Sequence, residues 1–131
     1  MDDSIVEFTI AINDPELDAE EQQKMTKNLL RQLKKLDEVE RVERTEDLNP
    51  EEGGRPGIAF LMGMLTAEVN VKNIKAFLGF LGDRLGNKPI KLKVKVKDTE
   101  VELEAKSRQE LLEAERIANE LLASMQRDSN D

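Results

Sequence analysis

Neither histidine nor cysteine occurs in this sequence, which removes the two most versatile catalytic and metal-binding side chains. A Ser-His-Asp or Cys-His nucleophilic centre, an imidazole general base and a histidine or thiolate zinc site are all excluded. Carboxylates are plentiful. The adjacent pairs Glu20-Glu21 and Glu51-Glu52, however, fall where the pattern places solvent, whereas acid-base work by paired carboxylates needs a shaped cleft and a raised pKa. No phosphate-binding loop ending in Gly-Lys-Ser/Thr is present, and Gly79, Gly82 and Gly86 sit along a helical stretch instead of opening one. The inventory therefore yields no catalytic residue, no metal ligand and no cofactor. It reads as a binding or regulatory component and not an enzyme.

Two stretches could recognise something. Lys72 to Lys97 carries eight basic residues against Asp83 alone, while residues 1–54 carry 16 acids and 7 bases. Lys91, Lys93, Lys95 and Lys97 could be a nucleic-acid track, but such sheets stack bases on exposed aromatics. The outward positions expected here are Glu7, Thr9, Ala11, Thr66 and Glu68. With a net charge of −8 besides, no nucleic-acid partner is expected. The second stretch, Ile58 to Leu65, is nearly continuous apolar sequence after a Gly/Pro-rich segment. Ile58, Phe60, Leu61, Met62 and Met64 are its candidate protein-binding residues, since exposed apolar patches mark interaction sites and methionine adapts to varied partners. The other reading is a plug over the end of the sheet, and both stay open.

At 131 residues the chain suits one domain, residues 1–131, with a core built from aliphatic side chains because only Phe8, Phe60, Phe77 and Phe80 are aromatic. The longest apolar run is eight residues, against the roughly 20 of a membrane helix, so no membrane partner is expected. Absence of cysteine and of a signal-like N-terminus points to the cytoplasm.

Alternation in Ile5 to Ile12 predicts a strand. Asp18 and Glu21 mark the start of a helix from Ala19 to Leu36, with Met25, Leu29, Leu30, Leu33 and Leu36 on its buried face. Val39 to Thr45 is a weaker strand pattern, because Val-Glu-Arg repeats with period three. Asn49-Pro50, Gly53-Gly54 and Pro56-Gly57 make 47–57 an exposed loop, followed by a short helix from Ile58 and a strand through Leu65, Ala67 and Val69. Asn70 caps a helix lined by Ile74, Phe77, Leu78, Leu81 and Leu85, which Gly86-Asn87 stops. Ile90 to Val96 and Val101 to Ala105 alternate as a hairpin. A turn at Asp98-Thr99 would set Lys97, Lys95 and Lys93 opposite Glu100, Glu102 and Glu104. Ser107 and Glu110 open a last helix, with 127–131 a frayed tail. The order predicts an α+β fold: a ferredoxin-like βαββαβ sheet with an added hairpin strand and C-terminal helix, helices on one face and charged residues on the other.

Three segments carry a resemblance: Ile5-Val-Glu-Phe-Thr-Ile-Ala-Ile12, Gly57-Ile-Ala-Phe-Leu-Met-Gly-Met-Leu-Thr-Ala67 and Asn73-Ile-Lys-Ala-Phe-Leu-Gly-Phe-Leu-Gly-Asp-Arg-Leu85, followed by the Lys/Glu hairpin. From about Ile5 to Leu122 the chain resembles the effector-associated constant component family of small bacterial proteins. The resemblance implies a component of bacterial conflict (defence) systems, an adaptor between sensing proteins and effectors such as caspase-like or trypsin-like peptidases. Its expected partner is an effector or sensor protein of the same system. The family has no catalytic motif, so no functional residue is carried over; Thr99 stands where a hairpin glycine would be more usual. The alternative expectation is a self-associating ferredoxin-like domain that senses a small molecule at a sheet or homo-oligomer interface.

Overall fold

Apolar side chains at every second position of Ile5–Ile12 give the chain a strand that must be covered on one side, and this strand, β1, lies at the centre of the sheet. A computed structural model describes residues 4–12, 14–44, 64–85 and 88–129. After β1 come α1 (Ala19–Lys34), β2 (Val39–Arg44), β3 (Met64–Asn70), a 3-10 turn (Val71–Asn73), α2 (Ile74–Leu85), β4 (Ile90–Val96), β5 (Thr99–Ala105) and α3 (Arg108–Ser129). Among the described residues the fold is α+β, with a five-stranded antiparallel sheet in the order β2-β3-β1-β4-β5 and three helices. β1 and β2 both run antiparallel to β3, so they are parallel to each other with β3 inserted between them. β3 and β4 are likewise parallel, with β1 inserted.

The register aligns one apolar side chain behind another across the sheet. Val42, Ala67, Phe8 and Val94 form one such row, and Leu65, Ile10, Leu92 and Leu103 form the next. Val6, Phe8, Ile10, Ile12, Leu65, Ala67, Val69, Leu92 and Val94 are all at most 1% exposed, and they join Leu29, Leu33, Phe77, Leu81, Leu111, Ala114 and Ala118 of the helices in one core. Burying each large member stabilises the fold by about 1.5–3 kcal/mol. Phe8 of β1 meets Phe77 of α2 with ring centroids 5.1 Å apart and planes tilted by 37°, which ties the central strand to a helix.

Capping follows the sequence closely. Asp18 Oδ1 accepts from the Glu21 amide at 2.8 Å, and Ser107 Oγ accepts from the Glu110 amide at 3.2 Å. Glu110 Oε2 accepts from the Lys106 amide at 2.6 Å, one residue before the position of an ideal capping box. Asn70 Oδ1 accepts from the Lys72 amide and so caps the 3-10 turn; the α-helix proper starts at Ile74. Asp14 is buried where β1 gives way to α1. Its Oδ1 accepts from the Glu16 amide at 3.0 Å and its Oδ2 lies 3.6 Å from Lys88 Nζ, linking that loop to the approach to β4.

Several expectations need correction. The hairpin turns at Lys97-Asp98 and not at Asp98-Thr99, so Lys95, Lys93 and Lys91 face Glu100, Glu102 and Glu104. Both registers give three Lys/Glu pairs and keep every side chain on its face, so charge and alternation could not choose between them. The observed one places β-branched Thr99 in the strand, which suits it, and puts Lys97 in the left-handed region at φ 54°. Met64 belongs to β3 and not to a preceding helix; the expected loop 47–57 and the short helix over 58–63 lie outside the described residues, as does the stop at Gly86-Asn87. α1 ends at Lys34, with Lys35 as its C-cap. α3 runs from Arg108 to Ser129, and Gln126 and Arg127 within it are good helix formers. The period-three pattern in β2 has a local cause. The register shifts between Val39 and Arg41, so a bulge lets Val39 and Val42, three apart, pair with Val69 and Ala67, two apart on the core face.

The two α2 glycines are not equivalent. A Cβ at Gly79 would meet nothing within 4 Å, whereas one at Gly82 would sit 2.8 Å from Arg108 Cγ, in the seam where α3 crosses and Arg108 pairs with Asp83. Gly79→Ala should therefore raise stability by about 1 kcal/mol, the helix-propensity difference. Gly82→Ala should gain nothing or lose stability, because it displaces Arg108. Denaturant unfolding of the two variants checks this, and equal gains would contradict the close approach at Gly82.

Candidate recognition surface

Every second residue of each strand must point away from the core, and no helix of the described residues covers that side. Register fixes who stands beside whom. Arg41, Glu68, Glu7, Lys95 and Glu100 form one row across the five strands; Glu43, Thr66, Thr9, Lys93 and Glu102 form the next; Met64, Ala11, Lys91 and Glu104 form a third. Beyond the Glu68–Glu7 pair, the central strands present small or uncharged side chains, Thr66, Thr9, Ala11 and Met64, flanked on one side by a lysine stripe on β4 and, outside it, a glutamate stripe on β5.

Neighbouring strands lie about 4.8 Å apart and alternate residues of one strand about 7 Å apart. The lysines are therefore closer to the facing glutamates than to one another. Even so, the ion pairs among the described residues are Arg41–Glu43, Lys88–Asp14, Arg108–Asp83, Arg116–Glu113 and Arg116–Glu120, and none joins β4 to β5. The facing stripes are solvated charges, and such pairs contribute at most about 1 kcal/mol each. On α3, hydrogen bonds to Glu113 and then Glu120 raise the Arg116 pKa above its ordinary value. That guanidinium belongs to the helical surface and takes no part in the sheet face.

A cavity of about 220 Å³ opens between the outward residues of β3, β1, β4 and β5, bounded by Thr9, Ala11, Met64, Lys91, Leu92, Lys93 and Glu102. Met64 is half-buried there, and Ala11 is 3% exposed although it faces away from the helices. Of the residues expected from sequence to bind a partner, Met64 stands on this face beside Ala11. Ile58, Phe60, Leu61 and Met62 lie outside the described residues. The sequence reading did not single out Thr9 and Ala11 as parts of a site. The available signal was that β1 carries only one charge, Glu7, among its outward positions. Among the described residues no group of three or more acidic side chains is placed to hold a metal ion, and no helix is long and apolar enough to cross a membrane.

The chain matches no protein-family model, and no curated protein and no solved structure is significantly similar to it.

Met64 distinguishes a surface from a plug. Met64→Asp should leave the protein folded, with a loss within about 1 kcal/mol, as is usual for changes outside the core. Ala67→Asp, three residues on but 0% exposed, should abolish cooperative folding by burying an unpaired carboxylate. Circular-dichroism melts compare them; equal damage from both would make Met64 a core residue.

Proposed function

We propose that the chain is a non-enzymatic adaptor or regulator that binds an effector or sensor protein through the sheet face opposite α1, α2 and α3, as a component of a bacterial conflict system. The observation that carries the binding part is the sheet face that no helix of the described residues covers: Met64, Thr66, Thr9 and Ala11 lie beside a lysine stripe on β4 and, outside it, a glutamate stripe on β5, which can orient a partner. The conflict-system part rests on the resemblance of the β1, 57–67 and α2 segments to the effector-associated constant component family. A chain without histidine or cysteine suits a component that relays binding and leaves chemistry to its partner.

We propose in addition that β1 through β4 with α1 and α2 form a ferredoxin-like βαββαβ unit, to which β5 and α3 are added. The support is the order β2-β3-β1-β4 and the two interleaved parallel pairs, each split by a strand of the other. The cavity on the open face favours a second reading, a small-molecule sensor that self-associates. Its volume of about 220 Å³ weighs against that reading, because pockets for drug-sized ligands run from about 300 to 1,000 Å³.

Co-expression of the tagged chain with the products of its neighbouring genes tests the adaptor. A stable complex with an effector or sensor protein, weakened at least tenfold by Met64→Asp or Lys93→Glu in a folded chain, is the expected result. Self-association alone would favour the sensor, and turnover of a substrate by the isolated chain would overturn both.

A further inference from the structure

The two edges of the sheet are built differently. β2, at one edge, spans six residues and carries a bulge between Val39 and Arg41, one of the devices that stop an edge from pairing further. β5, at the other edge, pairs with β4 in unbroken register from Val96↔Thr99 to Ile90↔Ala105, has no proline and no bulge, and has no strand on its outer side among the described residues. Among the described residues, seven residues of regular backbone therefore end at an open edge.

The side chains of β5 state what could pair there. Glu100, Glu102 and Glu104 are exposed on the face opposite α3, and no ion pair of the described residues engages them. On the opposite face Val101 and Leu103 are only half-buried, although α3 packs against β5 from that side. A second copy of β5 is rejected, because any antiparallel register that keeps the apolar faces together sets glutamate against glutamate. The partner that β5 already has shows the complementary pattern: in β4, lysine alternates with Ile90, Leu92, Val94 and Val96.

We propose that the outer edge of β5 takes up an extended segment of a partner protein, about seven residues long, in which Lys or Arg alternates with aliphatic residues, as a sixth strand of the sheet. Its basic side chains complete a Lys-Glu-Lys sandwich around each β5 glutamate, and its aliphatic side chains cover Val101 and Leu103. Main-chain hydrogen bonds supply affinity and the glutamate stripe supplies selection. The inference stands on the β5 edge and needs neither the family resemblance nor the surface around Met64.

The test uses the full chain and a labelled synthetic peptide copying residues 90–96, Ile-Lys-Leu-Lys-Val-Lys-Val. Fluorescence anisotropy should show saturable binding that weakens several-fold in the Glu102→Gln/Glu104→Gln double variant and persists in Met64→Asp. Two further peptides are N-methylated on alternate amides, one on the lysines and one on the aliphatic residues. Because alternate amides of a strand point to opposite edges, one of the two should lose binding and the other keep it. Binding by both methylated peptides, undiminished binding by the double variant, or no saturable binding of the unmodified peptide would each overturn strand addition. Retained circular dichroism of the double variant separates lost recognition from lost folding.

Discussion

Burial of one row of side chains along β1 is the constraint on which the rest depends. Val6, Phe8, Ile10 and Ile12 are almost fully removed from water, and each stands between a buried residue of β3 or β4 or both. A strand with this period has two different faces, and hydrogen bonding to two neighbours makes the difference a property of the whole sheet. The helices then have one side to cover. α1 contributes Leu29 and Leu33, α2 contributes Phe77 and Leu81, and α3 contributes Leu111, Ala114 and Ala118. The alternate residues form the opposite face, which no helix of the described residues covers and which is the proposed recognition surface.

The hairpin charges do little to hold the fold, and in the proposed function they select the partner. Lys91, Lys93 and Lys95 stand opposite Glu104, Glu102 and Glu100 without closing into ion pairs, so they stay available as two parallel stripes of opposite sign. Solvated charges of this kind add little stability and discriminate strongly between partners, because like charges brought together are costly. Of the basic segment that stands out in a chain of net charge −8, Lys91, Lys93 and Lys95 stand between the central strand β1 and the acidic edge strand β5.

Legibility in the sequence tracked the strength of local signals. Period-two alternation located β1, β4 and β5, and side-chain caps at Asp18 and Ser107 located the starts of α1 and α3, because these signals act within a few residues. The hairpin register escaped because the Lys/Glu repeat is unchanged by a slip of two residues, leaving the decision to Thr99 and the backbone at Lys97. In β2 the valine spacing became intelligible only with the bulge, which is a property of pairing with β3. For the site, Met64 was legible as an apolar residue beyond the needs of a helix. Its neighbours Thr9, Ala11 and Lys91 were not, since only the register of three strands places them beside it.

In the proposed function, recognition belongs to the side of the sheet opposite α1, α2 and α3. Amide hydrogen exchange of the chain, alone and bound to the neighbouring gene product, tests this most directly. The account predicts new protection within Met64–Thr66, Lys91–Lys95 and Glu100–Glu104, with the exposed faces of α1 and α2 unchanged. Protection confined to the helices, with those strand segments exchanging as in the free chain, would contradict it.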